Sequence, residues 1–313
     1  MTNTVLTITL NPTVDKSSSV ANIKPEKKLR CEAPNYEPGG GGINVSRGLV
    51  RLGIPNSALF TSGGRTGKLL EELLEEEKVN TLPITVLGET RENFIVVDTA
   101  SNEQYRFGMP GQAITDDDKN KIIEKIKNLS PFPDIVVISG SLPPGITPDF
   151  LKELIQIIKN NNSKVVVDTS GEALSAALDE GVYLVKPNIG ELSRMTNIPH
   201  LDNNDVEEAA KTLINKGKAE IIVVSMGPQG AYLITKEKSI HLPAPSVKKL
   251  STVGAGDSMV AGMVSVMAKG GTPLEMARMG VACGSAATMN PGTGLFKPED
   301  SDKLYNWLTK CPI

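Results

Sequence analysis

Short β-branched runs alternate with amphipathic segments along this chain, and that alternation constrains its fold more than any other feature. Val5–Leu10, Ala58–Thr61, Ile135–Ile138, Val165–Val167, Tyr183–Val185 and Ile221–Val224 are apolar almost throughout, as strands buried on both faces must be. Between them Thr66–Lys78, Asp116–Leu129, Pro148–Asn160 and Asp205–Lys216 repeat apolar residues at three- and four-residue spacing. This order predicts an α/β fold, a mostly parallel central sheet covered by helices on both faces. After Gly254 the pattern becomes helical, through Asp257–Lys269, Pro273–Met289 and Pro298–Thr309. Two segments depart from it. Residues 16–36 contain no clear helix, and 91–108 predicts a hairpin around a polar Ser101-Asn102 turn. Both follow a core strand and could stand off the main sheet as a small β lid. With 313 residues, no internal repeat and no low-complexity linker, the expectation is one domain, 1–313, with lid excursions near 16–36 and 91–108.

Charge narrows the partners. The formal net charge of −3, with acids and bases mixed along the chain, leaves no basic stripe for nucleic acid or an anionic membrane. A small molecule is the expected partner. Cys31, Cys283 and Cys311 show neither paired nor metal-type spacing, which fits a reducing compartment, so the expected location is cytoplasmic. The apolar run "VLTITL" is too short for a signal core, and no segment reaches the ~20 apolar residues of a membrane span.

Four glycine clusters compete for an anion-binding role. "EPGGGGINVSRGL", Glu37 to Leu49, opens a helix but fails the dinucleotide fingerprint: the third glycine is missing, and no acid follows at the distance a ribose requires. "GGRTGKLL", Gly63 to Leu70, is too short for a P-loop and has Leu69 where a magnesium-binding Ser or Thr is needed. It reads as a strand-to-helix turn with solvated Arg65 and Lys68. "SMGPQGAYL", Ser225 to Leu233, joins two strands; it is either a β-turn or the border of a nucleotide site at a strand end.

The fourth, "STVGAGDSMVAGM", Ser251 to Met263, places Asp257 directly after a glycine turn that opens a helix. Free N–H groups there attract phosphate. A carboxylate in the first helical turn can simply complement the helix dipole. It can also take the proton of an attacking hydroxyl while the amides hold a phosphoryl group, a pairing suited to kinase chemistry. His200 and His241 do not compete for the base role, since they are expected in separate polar loops at the surface, without a nucleophile or orienting partner nearby.

Together, "STVGAGDSMVAGM" and "EPGGGGINVSR" resemble the two signatures of the ribokinase-like sugar kinases, in their phosphofructokinase B branch. "NPTVD", "KLRCEAP", "TREN", "EQYRFGMPG", "ISGSLPPG", "DTSGEALSAAL", "VKPNIGEL" and "VSMGPQGA" follow in the family's order across almost the whole chain. The resemblance implies a ribokinase-like three-layer sandwich with a β lid and an ATP-dependent, magnesium-requiring kinase of a phosphorylated ketohexose. Fructose 6-phosphate is preferred, and fructose 1-phosphate or tagatose 6-phosphate are the alternatives. A non-catalytic sugar-phosphate or nucleotide sensor on the same fold should have a damaged base or anion hole, whereas Asp257 and Gly254 to Gly256 are intact. A nicotinamide oxidoreductase is disfavoured by the failed fingerprint.

By the same resemblance Asp257 is the catalytic base, and Gly254, Ala255 and Gly256 form the anion hole. The sugar side takes Asp15, just beyond the first strand, with Gly39, Gly40, Gly41, Gly42 and Asn44, and has Lys28, Arg30, Arg91 and Arg106 as lid cations for the sugar's phosphate and Ser141 as a further hydroxyl. Asn188 and Glu191, three apart, either face one hydrated magnesium ion or cap a helix; the family favours the ion, with Lys186 close to the nucleotide. Ser225, Gly227 and Gly230 then border the nucleotide, and Ser285 and Asn290 flank the adenine. Carbonyls of Ser251, Val253, Ala287, Asn290 and Gly292 match a monovalent-cation site, for K+, although Gly294 departs from the basic residue expected there in near relatives. Relatives pair two subunits through the lid, so a homodimer is implied.

Overall fold

A computed structural model describes residues 2–199, 201–292 and 294–311; His200 lies outside them. The strands are β1 (Val5–Thr9), β2 (Thr13–Val20), β3 (Asn35–Gly39), β4 (Asn56–Ser62), β5 (Asn80–Thr85), β6 (Arg91–Asp98) and β7 (Glu103–Phe107). They continue with β8 (Ile135–Ser139), β9 (Lys164–Asp168), β10 (Val182–Val185), β11 (Ala219–Ser225), β12 (Ala231–Ile234) and β13 (Ser239–Leu242). The helices are α1 (Gly41–Arg51), α2 (Gly64–Glu76), α3 (Asp116–Lys127), α4 (Pro148–Asn160) and α5 (Gly171–Asp179). They continue with α6 (Ile189–Thr196), α7 (Val206–Asn215), α8 (Ala255–Ala268), α9 (Pro273–Ala287) and α10 (Pro298–Lys310).

The nine-stranded sheet runs β13-β12-β11-β10-β9-β8-β1-β4-β5, with every strand in one direction except β12, which pairs antiparallel with both neighbours. Successive side chains of a strand point to opposite faces, and here both faces are covered. Val136, Ile138, Val165, Val167, Ile222 and Val224 join α3, α4, α5 and α7 on one side. Ile135, Val137, Val166, Ile221 and Val223 meet α1, α8 and α9 on the other. The fold is thus a three-layer α/β sandwich with a mostly parallel centre. Helix starts follow local chemistry: Thr115 and Asp118 form a capping box on α3, and Thr147 caps α4 ahead of Pro148.

A separate four-stranded sheet, β3-β2-β6-β7, stands beside it. Its β2 pairs parallel with β6, while β6 and β7 form the antiparallel hairpin around Ser101-Asn102. Asp15, expected just beyond the first strand, lies inside β2, opposite Asn93 of β6. His241 is likewise not in a loop: it sits in β13, where Nε2 contacts the Gln229 carbonyl at 2.9 Å and the ring packs on Tyr232. Gly63-Gly64 is a strand-to-helix turn with Arg65 and Lys68 exposed.

Candidate active site

Parallel strands deliver their C-terminal ends to one rim of the sheet, where ligands of open α/β folds gather. Asn11 follows β1, Ser141 follows β8, Asp168 ends β9, Lys186 follows β10 and Ser225 ends β11. The N-termini of α1 and α8 open onto the same rim. A 940 Å3 concavity at the other ends of β9, β10 and β11, lined by Lys164, Tyr183 and Ala219, gathers no such loops or buried acid.

The glycine loop before α8 has the geometry of an anion cradle. Gly254 adopts φ 71°, a left-handed conformation that favours glycine, and so turns the chain into the helix. The N–H groups of Gly254, Gly256 and Asp257 have no acceptor among the described residues. That of Ala255 makes only a long 3.4 Å bond to the Thr252 carbonyl. The positive end of α8 therefore faces the cleft with donors to spare.

Asp257, in that first turn, is partly open to the cleft. Its Oδ2 accepts a 2.8 Å hydrogen bond from Asn44 Nδ2. Burial, followed by the nearby Asp168, pushes its pKa up to about 6, against the lowering effects of Asn44 and Lys186. The group thus titrates close to neutrality while still ionised at pH 7, the range that suits a general base.

Lys186 is 7% exposed and lies 3.2 Å from Asp168 Oδ1. A Cβ added to Gly256 would stand 3.5 Å from its Nζ, so the ammonium faces the anion cradle directly. Burial disfavours the charged amine, but Asp168, then Asp257 and Glu191, outweigh burial and raise its pKa. Sequence reasoning did not assign Asp168; the available signal was an acid ending a buried strand, in "DTSGEALSAAL".

On the sugar side, Asp15 is 7% exposed and Asn93 donates to its Oδ1 at 2.9 Å. Burial above all raises its pKa. Gly39 to Gly42 connect β3 to α1, and close contact with neighbouring groups already requires most of them to be glycine. A Cβ at Gly41 would lie 2.6 Å from the Gly140 nitrogen, and one at Gly42 would lie 2.7 Å from the Ile8 carbonyl. The Gly40 Cβ would meet Thr9, and the Gly39 Cβ would meet the Asp15 carboxyl at 2.6 Å. Asn44, expected to offer its amide to sugar, gives one of its N–H groups to Asp257, because the first turn of α1 meets the first turn of α8.

Arg91 spends donors on the carbonyls of Asn11 and Met109, at 3.0 Å each, and Pro12, at 3.3 Å, so it fastens the lid to the chain after β1. Lys28 and Arg30 are exposed in the loop after β2, and Arg106 on β7 donates to Gln104. Ser141 Oγ accepts from Asn11 Nδ2 at 3.0 Å.

Asn188 and Glu191 form a reciprocal capping box on α6: each side chain accepts the other's backbone N–H, at 2.8 and 2.9 Å. The helix-cap alternative therefore describes these bonds, although Glu191 keeps Oε1 for another partner. Ser225 N donates to the Pro187 carbonyl at 2.8 Å, which brings the Ser225–Gly230 turn beside Lys186–Asn188. Gly227 and Gly230, with φ of 58° and 94°, shape that turn. Ser285 and Ala287 belong to the last turns of α9, whose following Thr288 carbonyl accepts the N–H groups of Leu250 and Ser251. Ser251 Oγ donates to the Gly292 carbonyl at 3.1 Å, while the Val253 N–H donates to Ser251 Oγ. The Ala287 carbonyl accepts Asn290 N, and the Gly294 carbonyl accepts Arg51 Nη1 at 2.6 Å.

The profile of the pfkB family carbohydrate kinases matches residues 3–300. The ATP-dependent 6-phosphofructokinase isozyme 2 of Escherichia coli (strain K12) is 46% identical, over 98% of this chain and 99% of its own. The 1-phosphofructokinase of Bacillus subtilis (strain 168) is 36% identical, over 93% of this chain and 94% of its own. Among solved structures, Escherichia coli phosphofructokinase-2 in complex with fructose-6-phosphate superposes with a TM-score of 0.93 at 43% identity, covering 99% of this chain and 100% of that one. The same protein in complex with potassium gives 0.94 at 45% identity with equal coverage.

Proposed function

The chain belongs to the pfkB family of carbohydrate kinases, and we propose from that premise that it transfers the γ-phosphoryl group of ATP to fructose 6-phosphate. The products are fructose 1,6-bisphosphate and ADP. The observation that carries this reading is the pairing of the Asp257 carboxyl with the unpaired amides at the start of α8, faced across the cleft by Asp15. The sugar's free primary hydroxyl gives its proton to Asp257. Its oxygen then bonds to the γ-phosphorus while the bond from that phosphorus to ADP breaks. The Gly254–Gly256 amides and Lys186 oppose the charge that spreads over the phosphoryl oxygens.

Asp15 accepts from sugar hydroxyls, held in place by Asn93. The remaining Arg91 donors, with Lys28 and Arg30, are the candidate contacts for the sugar's phosphate. Lys186, Asn188, Ser225, Gly227, Gly230 and Ser285 border the nucleotide. Among the described residues no group of three His, Cys, Asp or Glu side chains could hold a metal ion. Magnesium brought in with the ATP phosphates would face Asn188 and Glu191, whose Oε1 is not used by the helix cap, and would offset phosphate charge there. For K+, the hydrogen bonds between 250–253 and 287–292 bring two carbonyl-rich segments together, and the potassium complex of the Escherichia coli protein supports the same use here. At Gly294, where a basic side chain is missing, the carbonyl accepts from Arg51 Nη1, so a guanidinium stands beside this segment.

Substrate choice is tested by kcat/KM for fructose 6-phosphate, fructose 1-phosphate and tagatose 6-phosphate, followed by ADP release with magnesium and potassium present. Fructose 6-phosphate is expected to lead by at least ~10-fold, about what the net contribution of one ordinary hydrogen bond supplies. A tenfold lead for either competitor reverses the assignment, and binding without ADP release makes the protein a sensor.

The lid also supports a homodimer. Edge strand β7 exposes Tyr105 (38%) and Phe107 (50%) on one face, an apolar pair that a partner lid can cover. Phe107→Asp is expected to halve the mass measured by sedimentation. An unchanged mass would place the subunit contact elsewhere. No helix among the described residues is long and apolar enough to cross a membrane. Free Cys31, Cys283 and Cys311 fit a reducing compartment such as the cytoplasm.

A further inference from the structure

Behind Asn44 lies a buried arginine that the reaction above does not use. Arg47 is 2% exposed, one turn along α1. Its Nη1 donates to the Pro38 carbonyl at 2.8 Å and to Asn44 Oδ1 at 3.0 Å. Its Nε and Nη2 form a two-pronged pair with Glu77 at 2.9 and 2.6 Å. The guanidinium is thereby fixed in orientation, since the planar fork has little freedom once both prongs are engaged.

An Asn side chain offers one accepting and one donating end, and its neighbours decide which way it faces. Arginine can only donate. With Arg47 on one side, Asn44 must turn its oxygen to the guanidinium and its NH2 to Asp257. We propose, on the kinase reading above, that Arg47 is a positioning residue: it locks the Asn44 amide so that Asp257 Oδ2 is always held by a donor, leaving Oδ1 as the atom that takes the sugar proton. The N–H on Oδ2 occupies one of its lone pairs and disfavours a proton there, so Oδ1 is the working oxygen of the base. Pro38, the other Nη1 partner, lies in β3, so the same side chain also ties the lid's root to this chain of bonds.

The charged groups facing Asp257 are Asp168 from β9, Lys186 after β10 and Asp15 from β2, with Asn44 from α1 as the neutral donor. A donor lowers the pKa of the carboxylate it holds. If the amide turns over, that donor becomes an acceptor and the acid limb of the kcat/KM profile moves to higher pH.

The test contrasts Arg47→Lys, which still only donates, with Arg47→Gln, which can donate or accept. Arg47→Gln should move the acid limb up by roughly one pH unit from its wild-type position and lower plateau kcat roughly tenfold. Arg47→Lys should leave the limb where it is. A purely structural role would lower Tm in both and move the limb in neither, which overturns the proposal. Loss of the positive charge acting through space is separated by an Asn44→Ala background: with no amide to orient, Arg47→Gln should add no further shift, and an equal shift there also overturns it. If the variants fail to fold, the wild-type protein decides. The Asn44 side-chain amide resonance should titrate together with the acid limb, and a resonance that does not titrate refutes the lock. These shifts are read against wild-type kinase activity, so a wild type that phosphorylates none of the three sugar phosphates defeats the kinase reading itself, whereas an active wild type with unmoved variants defeats only the role of Arg47.

Discussion

Asp257→Asn is expected to fold, to lose roughly 10²- to 10⁴-fold in kcat, and to be more stable than the wild type at pH 8. The loss follows from removing the acceptor for the hydroxyl proton while the anion cradle remains. The gain follows from proton linkage. Folding raises the Asp257 pKa to about 6, above the ~3.9 of an unfolded aspartate. The folded state therefore holds this proton more tightly, and stability falls as pH rises from about 4 to about 6. Above pH 6 the full cost of the buried charge is present. A shift of that size corresponds to at most about 3 kcal/mol, and the opening of the carboxyl to the cleft reduces the expected gain to about 1–2 kcal/mol. Thermal melts of both proteins at pH 8 and pH 5 measure it: the mutant's advantage should shrink toward the lower pH. Wild-type turnover in the mutant would remove Asp257 from the base role, and an advantage that does not depend on pH would refute the buried-charge account.

Lys186→Met carries the second large effect. The substitution keeps most of the packing volume but removes the ammonium that stands 3.2 Å from Asp168 and faces Asp257. Breaking one side of a buried pair leaves the other charge uncompensated, at a cost of about 3–5 kcal/mol. Catalysis suffers separately: without the nearby cation the Asp257 pKa climbs further and the cradle loses its positive charge. The expected result is a drop in kcat of about 100-fold or more at pH 7, with the acid limb displaced upward by at least about one unit. Adding Asp168→Asn separates the two effects. The double variant should recover most of the stability, because no unpaired acid is left at that position, yet not the rate of transfer. An acid limb that stays in place in Lys186→Met would disconnect this lysine from the base.

The parts of the fold legible in the sequence were those where burial on both sides forces an uninterrupted apolar run, such as Ile135–Ser139 and Ala219–Ser225. The two edge strands of the nine-stranded sheet escaped for the opposite reason. β5 carries Pro83 and is mostly half-buried, and β13 has a single buried residue, so neither carries a continuous apolar signal. β2 was hidden because its polar "DKSSS" finds its partner β6 only through pairing with residues more than seventy positions away. In the site, Asp257 was legible because acid and glycine turn are adjacent in sequence. The bond from Asn44 to Asp257 spans 213 residues and could not be seen locally. Asn188 and Glu191 were ambiguous because one three-residue spacing serves both a cap and an ion, and the structure shows the capping bonds formed.

The tight seating of the glycines at the start of α1 bears on how such an enzyme changes over generations. A side chain at Gly41 would collide with the backbone of Gly140, and one at Gly42 with the backbone of Ile8. Neither obstacle is a rotatable group that could move aside. The floor of the cleft therefore accepts almost no mutation, whereas the lid loop carrying Lys28 and Arg30 is open to solvent and tolerates exchange or insertion. New sugar preferences must accordingly arise by rewriting the lid while the floor is inherited unchanged. A laboratory search for altered specificity belongs in residues 21–34 and 103–109, not in the glycine run.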